Sequence, residues 1–407
     1  MLTAEVPEWT GYFHALVHHD RSHAPLDRLR AARRIVTTSP AEFAFNQGRV
    51  ALFATLKALG IGPGDEVVLT GFTCVVVANA VRYLGARCSY VDIDPRTYGT
   101  DPWLLDAVLS DRTKAVIVQH SFGIPATVGP IIERAVHARI PVVEDCALAL
   151  GSRYDGKPVG SFGNAAFWSG QWSKPLPVGL GGFLRVNDPR LVPLVERQWA
   201  QAREKGIVDQ ITLAAQFRVR QSLRRLLPQR VRVHYQALDR IAARLGLIKG
   251  SPRADEVQGG MPDGFLVRAG ALQARAWRKG LVRWQRDIEH RLRIARLYEH
   301  RLPNLGYRTV ELRPNEDVVF SRYPVRVSNK RELIRLSRRR GVEIGNWMDR
   351  PLHEAVGSLE RWDYRTGRCP EGEKAAREVI NLPTHRGISE AAAERVLQFL
   401  RQFGHPA

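Results

Sequence analysis

Short apolar runs alternate with helical stretches through the first half of the chain. The runs lie at 66–69, 89–92, 115–119, 140–144, 165–168 and 183–186. They are rich in branched and aromatic side chains and lack polar alternation, which is typical of strands buried on both faces of a parallel sheet. Apolar residues at helical spacing occur between them at 48–59, 75–84, 103–109 and 131–138. This order predicts an α/β fold with a doubly wound, mostly parallel sheet.

A second group of elements follows in the C-terminal part of the chain. Leu281, Trp284 and Ile288 share one face of a long predicted helix at 272–302. Strand and helix patterns follow at 317–327 and 369–403, where Ser389 is placed to cap the final helix. We expect a large domain at 1–262, and a connecting helix with a smaller α+β domain at 263–407. A weaker pattern predicts a helix at 24–34.

A basic insertion interrupts the large domain at about 207–256. Within 211–250, apolar residues at helical spacing on both sides of Pro228 predict a helical hairpin. Eight arginines accompany them, and Asp239 is the only acid in that range. Two interpretations remain open: the apolar faces pack against the protein itself or a dimer partner, or the hairpin docks on an anionic membrane surface or an acidic partner.

Candidate chemistry is concentrated between residues 138 and 182. Glu144 and Asp145 end a predicted buried strand, where an acid either faces a ligand crevice or caps the next turn. Lys174 ends a small-residue turn between two apolar strands, where desolvation would lower its pKa and make it a usable nucleophile. Such a pair is what pyridoxal phosphate requires, because the lysine holds the cofactor as a Schiff base and the acid keeps its pyridine nitrogen protonated.

Composition limits the remaining classes of function. The chain has 407 residues, is 44% apolar and carries a net charge of +20. The charge suits an anionic partner or an acidic small substrate, or simply reflects the arginine-rich composition that a GC-rich genome gives. No nucleic-acid motif is present, so no nucleic-acid partner is expected. No apolar run of membrane-spanning length and no signal-peptide pattern is present, so a cytoplasmic protein is expected. Cys74, Cys88, Cys146 and Cys369 lack CxxC spacing and are predicted to be free thiols.

Three linked motifs resemble a known family. They are V-E-D-x-A-x-A-x-G-x-x-Y-x-G-K-x-x-G-S-x-G from Val143, F-x-S-x-x-x-x-K ending at Lys174, and G-x-G-G from Gly179. The sequence resembles the DegT/DnrJ/EryC1/StrS family of pyridoxal-phosphate aminotransferases, from about residue 46 to 186 and again from 264 to the end. The resemblance implies a fold-type I large domain, and most members aminate keto sugars attached to nucleotides.

The resemblance assigns roles to particular residues. Lys174 matches the Schiff-base lysine, Asp145 the partner of the pyridinium and Ser169 a phosphate-binding hydroxyl. A glycine at a helix N-terminus suits a phosphate, and the family's Ser-Gly-Thr there corresponds to Gln47, Gly48 and Arg49 in this chain. Arg49 is expected either to pair with the phosphate or to be a solvated surface arginine. His120 matches a family position, as a residue lining the site or as a hydrogen-bonded structural residue. No metal site is expected.

Four positions depart from the family. Cys74 replaces the aromatic residue that stacks on the cofactor, Leu148 a residue that contacts the ring hydroxyl, and Gln171 a histidine. Leu266 replaces the asparagine that reaches the phosphate of a partner subunit, with Arg268 as a substitute. The resemblance also implies a homodimer with the site at the subunit boundary.

Three functional hypotheses follow. The first is transfer of an amino group from a donor such as glutamate to a keto sugar, expected to be nucleotide-linked, in polysaccharide, glycoconjugate or secondary-metabolite biosynthesis. The second is a pyridoxal enzyme of the same fold with another outcome, such as dehydration or C–C chemistry on a non-sugar substrate. The family's sugar dehydratases carry histidine in place of the lysine, so the presence of Lys174 disfavours dehydration. The third is a regulatory or scaffold relative without turnover. The sugar, the nucleotide and the aminated carbon stay open.

Overall fold

The structure, a computed structural model, describes residues 41–226, 252–314 and 316–407. The helix predicted at 24–34 and the part of the predicted hairpin from residue 227 to 250 lie outside the described residues.

Strands in the described residues build one large sheet and several small ones. In chain order they are β1 (Ala41–Phe45), β2 (Glu66–Thr70), β3 (Thr73–Cys74), β4 (Arg87–Val91), β5 (Thr113–Gln119), β6 (Val142–Asp145), β7 (Arg153–Tyr154), β8 (Lys157–Pro158), β9 (Ala165–Ser169), β10 (Gly182–Val186), β11 (Glu316–Asp317), β12 (Arg322–Arg326), β13 (Leu352–His353) and β14 (Val379–Pro383). The large sheet has the order β1-β10-β9-β6-β5-β2-β4. Neighbours from β9 to β4 pair in parallel, whereas β10 is antiparallel to β9 and to β1. The predicted mostly parallel sheet is confirmed.

Helices cover both faces of this sheet. In chain order they are α1 (Gly48–Ala58), α2 (Val75–Arg82), α3 (Val128–His137), α4 (Val192–Gln201), α5 (Ile207–Leu226), α6 (Ala271–Arg301), α7 (Lys330–Arg340), α8 (Pro370–Glu378) and α9 (Glu390–Phe403). Along β5, Val116 and Val118 pack with Ile131 of α3, while Ile117 packs in a separate core with residues of α1 and α2. The strand therefore buries both of its faces, which explains its uninterrupted apolar sequence.

The predicted helix at 103–109 is wrong. The structure has two short 3-10 turns there, Pro102–Leu104 and Asp106–Val108. Trp103 and Leu104, which supplied part of the apolar pattern, are exposed, and in this segment only Pro102 and Leu105 are buried. Leu105, Val108 and Leu109 do pack on the apolar cluster that contains Val116 and Ile131, but a segment this short is only marginally stable as a helix, and it is held as two turns.

The long helix α6 connects the large sheet to the C-terminal elements. Leu281, Trp284 and Ile288 are buried on it, as its sequence pattern predicted. Its last turns pack in one apolar cluster with residues of β12, β14, α7 and α9. The hydroxyl of Ser389 caps α9 by accepting a hydrogen bond from the Ala392 N–H (3.2 Å). The predicted helix and its predicted neighbours are confirmed.

Helix α5 makes up most of the described part of the basic insertion. Its inner face packs on the turn that carries the candidate lysine: Leu213 is buried, and the Phe217 ring lies 6.0 Å from that of Trp172. The guanidinium of Arg220 lies 3.9 Å above the same Trp172 ring. Across the described ranges, every helix is too short or too polar to cross a bilayer.

Candidate active site

The candidate residues converge on one cavity at an edge of the large sheet. Parallel strands place their carboxyl ends at the same edge, and Gln119 of β5, Asp145 of β6 and Ser169 of β9 all line the cavity there. The cavity contains about 840 Å³ of space not filled by protein, including part that is open to solvent. It is lined by each of the seven residues singled out from the sequence: Gly48, Arg49, Cys74, His120, Asp145, Ser169 and Lys174.

Lys174 lies in a tight turn between β9 and β10. The Lys174 N–H donates to the Gln171 carbonyl (3.0 Å), and the Gly170 N–H donates to Gly181 (2.8 Å), which closes the turn. Its Nζ lies 5.3 Å from the centre of the Trp347 ring. Burial lowers the pKa of Lys174, while the charge of Asp145 opposes that change. The neutral amine is therefore more accessible than on a surface lysine.

Of the two acids that end β6, Asp145 is the one that faces the cavity. Its Oδ1 accepts a hydrogen bond from the Ala147 N–H (2.9 Å). Burial raises the pKa of Asp145, and the charge of Lys174 and this hydrogen bond oppose that change. A positively charged group bound in the cavity would favour the ionised carboxylate, because it would offset the burial that disfavours the charge.

The neighbouring Glu144 has a different task. Its Oε1 accepts hydrogen bonds from the N–H groups of Phe162 and Gly163 (both 2.8 Å), and its Oε2 accepts from Gly160 (2.7 Å). Oε2 also bonds His120, so both oxygens are used within the protein. Successive side chains of a strand point to opposite sides, which separates these two acids. Glu144 therefore anchors the turn at 160–163.

His120 is both hydrogen-bonded and placed along the cavity. Its Nδ1 accepts from the Ala126 N–H (3.0 Å), so the ring proton lies on Nε2 and is donated to Glu144 (3.0 Å). Donor atoms of His120, Glu144 and Cys146 lie within 4.8 Å of one another, as metal ligands would. His120 and Glu144 already use these atoms in the hydrogen bonds described above. The cluster therefore positions the histidine ring.

The phosphate end predicted from the sequence lies at the start of α1. This helix begins at Gly48 with no side-chain cap and no acid in its first turn. A Cβ on Gly48 would come within 3.1 Å of the Cβ of Ser169, so glycine lets the helix terminus approach β9. Arg49 is buried and forms a two-pronged ion pair with Glu256. The interpretation of Arg49 as a solvated surface arginine is therefore wrong.

Three of the four departures from the family lie in this cavity: Cys74, Leu148 and Gln171. Burial raises the pKa of Cys74 to about 12, with Glu354 contributing, so its thiol is protonated at neutral pH. The fourth, Leu266, packs against the apolar core and its carbonyl accepts from the Arg203 N–H (3.0 Å). Arg268 lies 3.7 Å from Glu204 and 4.7 Å above the Trp199 ring within the same chain.

Trp347 and Glu354 also line the cavity, and neither was predicted from the sequence. Both residues lie at the cavity because β13 pairs in parallel with β3, which places His353 beside Cys74. The Cys74 Sγ lies 3.6 Å from Oε2 of Glu354, and the Trp347 N–H donates to Oδ1 of Asn381 (2.7 Å). Strands of two residues carry no periodic pattern, so no local sequence signal marked this contact.

Comparison with known proteins decides the family. The model of the DegT/DnrJ/EryC1/StrS aminotransferase family matches residues 37–220 and 236–401. The chain belongs to this family. The match is wider than the resemblance at 46–186 and from 264 onward, because it includes β1 and most of the described part of the insertion.

Three relatives extend over most of the chain. GDP-perosamine synthase of Caulobacter vibrioides is 29% identical over 88% of this chain and 84% of its own length. UDP-2-acetamido-2-deoxy-3-oxo-D-glucuronate aminotransferase of Pseudomonas aeruginosa is 31% identical, covering 85% and 81%. The pleiotropic regulatory protein of Geobacillus stearothermophilus is 30% identical, covering 88% and 84%. Two are named as enzymes, a synthase and an aminotransferase, and one as a regulatory protein, at almost the same identity.

Solved structures agree with the fold. The aminotransferase TlmJ from Streptoalloteichus hindustanus superimposes with a TM-score of 0.66 at 26% identity, covering 92% of this chain and 87% of TlmJ. The predicted aminotransferase-like α/β fold is confirmed.

Proposed function

We propose that this family member is a pyridoxal-phosphate-dependent aminotransferase that transfers an amino group from an amino acid, with glutamate as the expected donor, to the keto carbon of a nucleotide-linked sugar. The observation that carries the proposal is a buried lysine and a buried acid in one cavity, next to an uncapped helix N-terminus. The names of the GDP-perosamine and UDP-glucuronate relatives support the substrate class. The expected setting is the biosynthesis of a polysaccharide, glycoconjugate or secondary metabolite.

The residues present fit pyridoxal phosphate. The cavity offers an amine (Lys174), an acid for the pyridine nitrogen (Asp145), and a helix N-terminus with Ser169 for the phosphate. When bound, the cofactor supplies an electron sink for the substrate carbon. Asp145 would hold the proton on the pyridine nitrogen. The Nζ of Lys174 would take a proton from the substrate carbon and later return one, which its burial-lowered pKa favours.

Cys74 does not compete for the cofactor carbonyl. Its thiol has a pKa of about 12 and is protonated at neutral pH, whereas the thiolate is the nucleophile. Among the described residues that line the cavity, Lys174 is the sole amine that can form a covalent link to the cofactor. The cysteine substitution therefore removes a stacking surface without adding a rival nucleophile.

Half-reactions followed by absorbance test the proposed function. Purified protein supplied with pyridoxal phosphate should become coloured, glutamate should bleach it, and a GDP- or UDP-linked keto sugar should restore the colour. Colour that glutamate does not bleach would contradict amino transfer. Protein that never binds the cofactor would favour the regulatory alternative, which the name of the Geobacillus relative keeps open. Restoration by a non-sugar ketone alone would favour the second hypothesis.

We also propose a homodimer with the site at the subunit boundary, on the basis of the family. Leu266 occupies the position of the asparagine that makes the family's cross-subunit contact, and it packs on the apolar core of its own chain. Arg268, beside Glu204, is the basic group nearest to that position in sequence. Light scattering together with turnover over a dilution series tests this proposal. A monomer with full turnover would refute it.

The proposed compartment is the cytoplasm. The cysteines at positions 74, 88, 146 and 369 are free thiols, as predicted, and thiols persist in a reducing compartment. Fractionation of cells that produce the protein tests this assignment.

A peripheral contact between the 211–250 insertion and an anionic membrane is the remaining proposal. The outer face of α5 supports it, because apolar residues there are exposed and follow helical spacing: Val208, Ile211, Ala215, Val219 and Leu226. Arg218 flanks this stripe and is exposed. Such a helix lies in a membrane interface with its apolar face inward and gains from anionic lipid.

Liposome flotation tests the membrane contact. Wild type should float with anionic vesicles at low salt and less at high salt, because salt screens the attraction. Ile211→Asp with Val219→Asp should abolish flotation. Val282→Asp changes an exposed apolar position on α6 and is the matched control. This variant should still float as wild type does. Equal, minimal flotation of all three proteins in every condition would refute the contact.

A further inference from the structure

We propose that residues 252–260 complete the phosphate end of the cavity, and that Glu256 positions Arg49 for contact with the cofactor phosphate. The inference rests on the proposed function. The segment begins within the end of the insertion and lies outside the sequence resemblance at 46–186 and from 264, whereas the family model includes it. Pro252 and Arg49 both line the cavity, and Glu256 forms an ion pair with Arg49 across 207 positions of sequence. The segment 252–260 is called the phosphate wall below.

The ion pair of Arg49 and Glu256 is buried, and two hydrogen bonds fix its geometry. The side chains of Arg49 and Glu256 are 6% and 0% exposed. The Nε of Arg49 donates to Oε1 of Glu256 (2.5 Å), and its Nη2 donates to Oε2. Oε2 also accepts from the Arg253 N–H (2.9 Å). Arg49 lines the cavity and Glu256 does not, so the carboxylate lies behind the guanidinium as seen from the cavity.

The phosphate wall is held in place along its backbone. Four of its carbonyls accept hydrogen bonds from α2, from Tyr83 directly after α2, or from residues 356–361. The side-chain amide of Asn79 donates to the Glu256 carbonyl (2.7 Å), and the Val356 N–H donates to that of Val257 (2.8 Å). The guanidinium of Arg361 donates to the Gln258 carbonyl, and the hydroxyl of Tyr83 donates to that of Gly260 (2.5 Å). The wall is therefore a built part of the site, and Glu256 has a fixed position relative to α1.

Electrostatics explain why Arg49 needs this carboxylate. Arg49 is the second residue of α1, and the positive end of a helix dipole repels a cation there. Burial adds a desolvation cost, which a hydrogen-bonded counter-ion offsets. Glu256 supplies that charge from outside the helix, since α1 has no acid in its first turn. A guanidinium fixed in this way can present donors to a phosphate in a bidentate geometry.

The phosphate wall also accounts for the loss of a family contact. Leu266 stands where the family has the asparagine that reaches the phosphate of a partner subunit, and a leucine side chain has no donor. Arg49 stands where the family has threonine, and Glu256 secures it. We therefore expect the phosphate affinity of this protein to depend on Arg49 and Glu256 of the same chain.

The test compares pyridoxal phosphate with pyridoxal, which lacks the phosphate but carries the same carbonyl. Dissociation constants are measured from the absorbance of the covalent link for wild type, Arg49→Met, Glu256→Gln and Arg190→Met. Arg190, in an exposed ion pair with Asp188, is the matched control for loss of one arginine. Arg49→Met and Glu256→Gln should weaken pyridoxal phosphate about tenfold, the equivalent of one charge-assisted hydrogen bond. Pyridoxal affinity should not change.

The double variant Arg49→Met, Glu256→Met separates binding from folding. Replacing a buried ion pair by apolar residues restores packing without charge, so its melting temperature should exceed those of the single variants. Its affinity for pyridoxal phosphate should stay low. Recovered affinity in the double variant, equal losses for pyridoxal and pyridoxal phosphate, or unchanged affinity in the single variants would each overturn the inference. Wild type that links neither compound would instead refute the proposed function.

Discussion

Arg322 should control how readily Lys174 reacts. Its guanidinium lies 5.6 Å from the centre of the Trp347 ring, and the Lys174 Nζ lies 5.3 Å from the same centre, so the two cations are at most about 11 Å apart. Nη2 of Arg322 donates to the Ser173 carbonyl (3.3 Å), which holds it beside the lysine. The charge of Arg322 lowers the pKa of Lys174, whereas that of Asp145 raises it.

The size of the effect follows from the separation. At the maximum separation of about 11 Å, two unit charges repel by about 0.4 kcal/mol at the dielectric constant of water and by about 1.5 kcal/mol at the value typical of a protein surface, so these energies are lower limits. Only the neutral amine attacks a carbonyl. Arg322→Gln should therefore raise the pKa of Lys174 and slow covalent attachment of pyridoxal phosphate by about 2- to 10-fold at pH values well below that pKa. Above it, the rate should be unchanged.

The assay is the rate of covalent attachment as a function of pH, trapped with borohydride. Arg322→Lys, which keeps the charge, is the control and should resemble wild type. Asp145→Asn removes the opposite charge and should move the midpoint of the pH profile to lower pH. A profile that stays in place or moves to lower pH in Arg322→Gln would refute the electrostatic reasoning.

Three further substitutions test the site and the fold. Lys174→Ala should keep the melting transition but lose the reducible link to the cofactor, and a link recovered by borohydride would contradict the role of Lys174. Asp145→Asn should retain cofactor and lose most turnover, because an amide cannot hold the pyridine proton and Glu144 is committed to the turn at 160–163; near-normal turnover would show that another acid serves. Burial raises the pKa of Glu42 from 4.5 to about 8, so the contribution of this carboxyl to stability is present below pH 4.5 and is lost as pH rises to 8. Glu42→Gln should therefore gain stability relative to wild type over that range, by at most about 5 kcal/mol in urea unfolding, and equal differences at pH 5 and pH 9 would contradict this.

Several expectations depended only on local sequence and were met by the structure. The strands that carry Asp145 and Ser169 were predicted because buried parallel strands have uninterrupted apolar sequences. The turn that carries Lys174 was predicted because small residues and glycines separate two such strands. The convergence of these residues followed from the rule that parallel strands end at one edge of a sheet.

Other expectations failed or were incomplete because packing decides them. The pattern at 103–109 suited a helix, but Trp103 stays at the surface, where only the guanidinium of Arg134 is described over its ring, and the segment forms two short turns. The sequence did not show which of the two acids, Glu144 or Asp145, faces the cavity. Their roles separated once the turn at 160–163 was seen to bind Glu144 and the cavity to face Asp145.

The sequence by itself therefore determined the order of strands and helices, the family, and the positions of the lysine and the acid, because each depends on residues close together in the chain. Only the tertiary structure revealed what surrounds them. Trp347 and Glu354 reach the cavity through the two-residue pairing of β13 with β3, and Glu256 reaches Arg49 from 207 positions away. Contacts at such separations are set by how whole elements pack, and no local periodicity or turn signal records them.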